Sequence, residues 1–123
     1  MPTILIVDDS SMMRALVRGA LEADRYDVVE ARDGTAALAA IEQSIPNLVI
    51  TDVLMPEMDG LTLARRLRAD SRFARLPILV LTTEDGDATK ASGRSAGVTG
   101  WLVKPFHPDT LRDTVRRVLE SPG

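Results

Sequence analysis

The chain contains no cysteine. That excludes a disulfide, a thiolate nucleophile and a cysteine-held metal centre. Histidine occurs once, at His107, so a clustered-histidine metal site is excluded as well. There is no excess of positive charge: Lys and Arg number 15 against 18 Asp and Glu, a formal net charge of -3. Such a chain has no long-range attraction to nucleic acid or to an acidic membrane surface, and no basic cluster is dense enough to supply one locally. No long apolar run is present either. The start, Met1-Pro2-Thr3-Ile4-Leu5-Ile6-Val7-Asp8-Asp9, lacks a basic leader and meets two acids after four apolar residues. It reads as neither a signal peptide nor a membrane span, and the expected location is the cytoplasm.

What is present is one domain's worth of chain. The 123 residues, 45% of them hydrophobic, suffice for one sizeable core and not for two, so residues 1–123 are expected to form a single domain. Short apolar runs rich in Val, Ile and Leu lie at Ile4–Val7, Leu48–Ile50, Ile78–Leu81 and Trp101–Val103, with a weaker one at Tyr26–Val29. None alternates strictly with polar residues, which is how strands buried on both faces of a parallel sheet read.

Helical periodicity fills the gaps. Met12 to Ala23 carries Met12, Leu16 and Ala20 on one face; Thr35 to Gln43 carries Ala37, Leu38 and Ile41; Leu61 to Ala69 carries Leu63 and Leu67. Ala88 to Ala96 is weaker and contains Gly93, and Asp109 to Glu120 turns Leu111, Val115 and Val118 inward. Arg72 and Arg75, around Phe73, read as a solvated loop. Asp33-Gly34 and Asp59-Gly60 are turn dipeptides between strand and helix. Five strand–helix units with right-handed crossovers predict an α/β fold: a (βα)5 flavodoxin-like three-layer sandwich around a parallel five-stranded sheet in the order 2-1-3-4-5. Ser121-Pro122-Gly123 reads as a frayed end or the stub of a linker.

In such a sheet ligands bind beyond the carboxyl ends of the strands, where the strand order reverses. Asp8 and Asp9 follow the first strand, Asp52 ends the third, Thr82 and Thr83 the fourth, and Lys104 the fifth. The first and third strands are neighbours at the switch point, so Asp8 and Asp9 are expected beside Asp52. Three carboxylates together repel, and a divalent cation and the Lys104 ammonium would relieve this. An all-oxygen donor set suits magnesium. A carboxylate is a possible nucleophile toward phosphorus, and its product, an acyl phosphate, is labile. Each residue also has a plain reading: Asp52 as a turn former, Asp8-Asp9 as an N-cap, Thr82 as a cap, Lys104 as a solvated strand end. Their joint placement on one sheet edge is what favours chemistry.

These residues stand in recognisable motifs. Ile6-Val7-Asp8-Asp9-Ser10 with Met13-Arg14, Thr51-Asp52-Val53-Leu54-Met55-Pro56-Glu57-Met58-Asp59-Gly60, Leu81-Thr82-Thr83-Glu84 and Val103-Lys104-Pro105-Phe106 occur in order. From Ile4 to about Leu119 the chain resembles the receiver domain of two-component response regulators, and among these the single-domain chemotaxis regulators of the CheY type. The resemblance implies that Asp52 is the phosphoacceptor, and that Asp9, Asp8, Asp52 and the Leu54 backbone carbonyl hold Mg2+. It implies that Thr82 binds a phosphoryl oxygen through its hydroxyl and Thr83 through its backbone N–H, and that Lys104 pairs first with the carboxylates and later with the phosphoryl group. It also implies a cis Lys104-Pro105 bond. Trp101 stands where the family has its aromatic switch residue, commonly Tyr or Phe; the bland alternative is that it covers the core beside the fourth helix. His107 reads as a solvated junction residue, with Pro108 at the first helical position. Met12 is expected in the core and Met13 mostly exposed.

The function implied is that of a response regulator. It takes a phosphoryl group from a histidine kinase, without being a conventional enzyme, and signals by phosphorylation-dependent binding. The chain ends at the fifth helix with no output domain, so the output is expected in another protein: first a flagellar motor switch protein in chemotaxis, second a histidine phosphotransfer protein, the chain then being a phosphate sink or relay intermediate. A third possibility is a receiver domain separated from its output domain. Other classes are a flavodoxin-like enzyme or cofactor module, against which stands the missing Gly-rich phosphate cradle, and an interaction domain with a dead acceptor site, against which stands the complete polar set.

Overall fold

The computed structural model describes residues 2–83 and 87–120, and of 87–89 the backbone alone. Glu84 and the Ser121–Gly123 end lie outside the described residues. Five strands alternate with five helices: β1 Thr3–Val7, α1 Ser11–Glu22, β2 Asp27–Ala31, α2 Gly34–Gln43, β3 Leu48–Asp52, α3 Gly60–Arg68, β4 Ile78–Thr82, α4 Asp87–Ala96, β5 Gly100–Val103 and α5 Pro108–Glu120. All strand pairs are parallel, in the order β2-β1-β3-β4-β5. This is the expected flavodoxin-like (βα)5 topology. No helix among the described residues is long and apolar enough to cross a membrane.

The unbroken apolar strands serve two cores. Ile4, Ile6, Leu48, Ile50, Leu79 and Leu81 meet α1 and α5 on one face. Leu5, Val7, Val49, Ile78 and Val80 meet α2, α3 and α4 on the other. Successive side chains of a strand point to opposite faces, so a run such as Ile4–Val7 feeds both cores at once. Short polar side chains open the helices. Ser10, Asp33 and Asp59 each accept from the backbone N–H three residues on, capping α1, α2 and α3.

Three expectations need correction. The inward face of α1 is Val17, Ala20 and Leu21, with Met13 packed against them, while Met12 and Leu16 are 74% and 61% exposed. Beside the charged stripe of Arg14, Arg18 and Glu22, the apolar residues form two neighbouring stripes, Met12/Leu16 and Met13/Val17, and docking buries the second. β2 is Asp27–Ala31 rather than Tyr26–Val29; as an edge strand it tolerates Asp27 and Glu30 within it. Finally, Ser71–Phe73 is a 3-10 turn with Phe73 buried. Arg72 lies 4.8 Å above the Phe73 ring and bonds Asp70 and Glu42, tying this turn to α2.

Candidate functional site

The carboxyl edge of the sheet gathers the expected acids. Asp8, directly after β1, is 2% exposed; Asp9 is exposed; Asp52, the last residue of β3, is partly buried. One oxygen from each lies within 4.8 Å of the others. Lys104, one residue beyond β5, sets its Nζ 3.0 Å from Asp52 Oδ1 and 3.8 Å from Asp8 Oδ2. Its backbone N–H donates to the Thr82 carbonyl at 2.7 Å, so the ends of β4 and β5 are stitched together where the lysine leaves the sheet. The Lys104-Pro105 peptide is cis, as expected.

Backbone packing fixes Asp52. The Val53 N–H donates to the Leu81 carbonyl at 3.1 Å, and the Gly60 N–H to the Val53 carbonyl at 2.8 Å. A Cβ on Gly60 would stand 2.1 Å from the Asp52 backbone oxygen. Only glycine lets α3 begin this close to the acceptor strand. Leu54 is exposed beside Asp52.

Thr82 is buried at the end of β4 and Thr83 is exposed just beyond it. Trp101 in β5 pairs in register with Val80 and packs against the core that α2, α3 and α4 cover. Its ring lies over Gly93 of α4, which gives that glycine a steric reason. His107 is exposed; its Nδ1 accepts from the Asp109 N–H at 3.1 Å, next to Pro108, the first residue of α5.

Asp8 carries the electrostatic strain of the site. Burial pushes its carboxyl above the ordinary aspartate value of 3.8. The neighbouring charges of Asp52 and Asp9 push the same way, against the Ser10 N–H and the Lys104 ammonium. Oδ1 accepts the Ser10 N–H at 2.9 Å, whereas Oδ2 is buried with no hydrogen-bond partner. A buried, orphaned carboxylate oxygen is costly, and here it sits within the cluster of three acids faced by one ammonium. An all-oxygen set with negative charge in excess fits a hard divalent cation, so these residues could hold a metal.

Two features of the site were missing from the sequence reading: Gly60 as a steric requirement of Asp52, and the ion pair between Arg14 and Glu30 behind Asp8. The second depends on which residue of β2 lies beside β1, and only the register supplies that.

A parallel α/β sheet with an acidic cluster and a lysine at its switch point defines a CheY-like receiver. Comparison with known families agrees: residues 4–116 match the response regulator receiver domain, and the chain belongs to that family. It is 42% identical over 118 residues to the chemotaxis protein CheY1 of Helicobacter pylori, covering 94% of this chain and 95% of that one. A chemotaxis protein CheY homolog of Campylobacter jejuni is 38% identical over 118 residues, with 94% and 91% covered. The structure of chemotaxis protein CheY4 of Vibrio cholerae superposes with a TM-score of 0.92 at 42% identity, covering 96% of this chain and 98% of that one.

Proposed function

We propose that residues 1–123 form a single receiver domain, a cytoplasmic two-component response regulator that accepts a phosphoryl group from a histidine kinase onto Asp52. The observation that carries this reading is the position of Asp52: its Oδ1 is 3.0 Å from Lys104 Nζ, and its carboxylate is part of the three-acid cluster. In the transfer, an Asp52 carboxylate oxygen attacks the phosphorus of a phosphohistidine. A P–O bond forms, the P–N bond breaks, and the imidazole leaves with the electron pair. Asp8, Asp9, Asp52 and the Leu54 carbonyl would hold Mg2+, which would supply charge neutralisation during the transfer. Lys104 exchanges its carboxylate partner for the phosphoryl group, and the Thr83 N–H donates to it. Water later attacks the phosphorus of the acyl phosphate, the P–O bond to Asp52 breaks, and inorganic phosphate leaves with the carboxylate restored, so the chain takes part in its own phosphorylation and dephosphorylation without being a conventional enzyme.

Readout runs through Thr82 and Trp101. The phosphoryl group draws the Thr82 hydroxyl toward it, and the indole turns into the space left, biasing the α4–β5–α5 face between two states. Beside Trp101 a groove lined by Leu102, Thr110, Thr114 and Val118 runs between β5 and α5. The partner in this reading is a flagellar motor switch protein, which the likeness to chemotaxis proteins favours. This reading involves no nucleic acid and no membrane insertion. The alternative is a phosphate sink or relay passing the group to a histidine phosphotransfer protein. Immobilised chain, with and without phosphorylation, decides between them. Phosphorylation-dependent capture of the motor switch protein supports the first reading. Transfer of label back to a histidine protein, with no motor capture, sinks it in favour of the second.

A further inference from the structure

Asp8 is gripped at each of its backbone polar groups. Its N–H donates to the Ala31 carbonyl of β2 at 3.1 Å, and its carbonyl accepts from Arg14 Nη1 at 2.6 Å. Oδ1 accepts from the Ser10 N–H, while the buried Oδ2, 3.8 Å from Lys104 Nζ, has no hydrogen-bond partner. The carbonyl that Arg14 holds belongs to the peptide joining Asp8 to Asp9. One guanidinium N–H therefore fixes the plane of the link between two of the three acids.

Arg14 is itself oriented. Its Nε donates to Glu30 Oε1 at 2.9 Å, and the other Glu30 oxygen accepts from Arg18 Nε at 2.7 Å. Arg18 reaches on to the Val28 carbonyl at 3.3 Å. Glu30 stands opposite Ile6 in the ladder, one position before Ala31. The same stretch of β2 thus holds Asp8 twice, directly through Ala31 and at one remove through Glu30 and Arg14. The Arg14 side chain is only 18% exposed, while its charge is answered by Glu30 rather than by the acids of the site. Hydrogen bonds that orient ligand residues from behind set metal affinity by preorganisation, because the carboxylates need no rearrangement to receive the ion. A guanidinium can serve a carbonyl and a carboxylate together from a planar fork; an ammonium on a flexible stem cannot hold that geometry.

The geometry points to Arg14, aligned by Glu30, as a positioning residue that fixes the Asp8–Asp9 peptide and so sets the affinity of the acidic cluster for a divalent cation. The inference rests on the receiver reading above. Its sign is distinctive. Charge alone makes Arg14→Met bind a cation more tightly, because a nearby positive charge has gone. Loss of positioning makes it bind more weakly.

The test is calorimetric titration of Mg2+ into the unphosphorylated full chain, with circular dichroism confirming that each variant is folded. Arg14→Met is expected to weaken binding about 10-fold. Glu30→Gln shifts it the same way by less, and Arg14→Lys falls between Arg14→Met and wild type. Arg18→Met loses the same Glu30 carboxylate but never touched Asp8, so it keeps wild-type affinity. Equal or tighter binding by folded Arg14→Met, or by folded Arg14→Lys should the methionine variant not fold, overturns the inference. So does an equal loss in Arg18→Met, which would make the effect one of α1–β2 packing. A wild-type chain that takes up no Mg2+ overturns the metal reading itself, and the inference with it; that result differs from wild-type binding that Arg14→Met leaves unchanged.

Discussion

The Trp101 ring lies against Gly93 so closely that a Cβ on Gly93 would stand 2.8 Å from Cζ3 and 3.2 Å from Cε3. The aromatic residue at the candidate switch position and the helix beside it are therefore fitted to each other. Gly93→Ala gains about 1 kcal/mol of helix propensity. It also forces a ring that packs on the core to give way, at a cost of about 1–3 kcal/mol. We expect a net loss of stability in urea unfolding and a red-shifted indole emission as the ring moves toward water. Unchanged emission with raised stability would show that the ring yields freely.

Gly60 gives a sharper prediction. The added methyl of Gly60→Ala meets backbone rather than a flexible side chain, 2.1 Å from the Asp52 carbonyl oxygen. Either the start of α3 or the end of β3 must move. The expected loss is at least about 3 kcal/mol, the upper end for overpacking, and Mg2+ affinity falls with it because Asp52 is displaced. Urea unfolding and metal titration of the same preparation check both.

Asp8 predicts a pH dependence. Its folded-state carboxyl titrates above the ordinary 3.8, with burial as the first cause. The folded state then binds this proton more tightly than the unfolded state does. Asp8 favours folding below the unfolded value, and that contribution is lost as pH rises through the folded value. At neutral pH without divalent cation, Asp8→Asn is therefore expected to be more stable than wild type. The gap closes as pH falls toward 3.8, and Mg2+ stabilises only the wild type. Thermal melts at several pH values, with and without Mg2+, measure this. A variant less stable than wild type at neutral pH without metal would refute the assignment of strain to Asp8.

Arg25 has φ 65 in the turn after α1, a left-handed conformation that costs a side-chain-bearing residue about 1–2 kcal/mol. Its side chain is exposed and far in the fold from the acids. Arg25→Gly is expected to raise stability by up to about 1 kcal/mol and to leave Mg2+ affinity unchanged, as melting and titration would show.

Much of this was legible in the sequence. Ile4–Val7 and Ile78–Leu81 reveal buried parallel strands because both faces are covered. The acids and Lys104 announce themselves by falling where apolar runs stop. The inward face of α1 was not legible, since Met12/Leu16 and Met13/Val17 are equally apolar and only the docked helix chooses between them. Nor was the burial of Phe73, whose neighbours Arg72 and Arg75 look like loop while Arg72 bonds Glu42 of α2. Arg14 and Glu30 are 16 residues apart and meet only through the β1–β2 register.

The central claim is that Asp52 is the phosphoacceptor. Intact-protein mass spectrometry after treatment with a small acyl phosphate donor tests it most directly, on wild type and Asp52→Asn, with Mg2+ and with chelator. The account predicts one added phosphoryl group on wild type with Mg2+, lost in acid or base as an acyl phosphate is, and none on Asp52→Asn. Undiminished labelling of folded Asp52→Asn, or an unlabelled wild type with Mg2+ present, would contradict it.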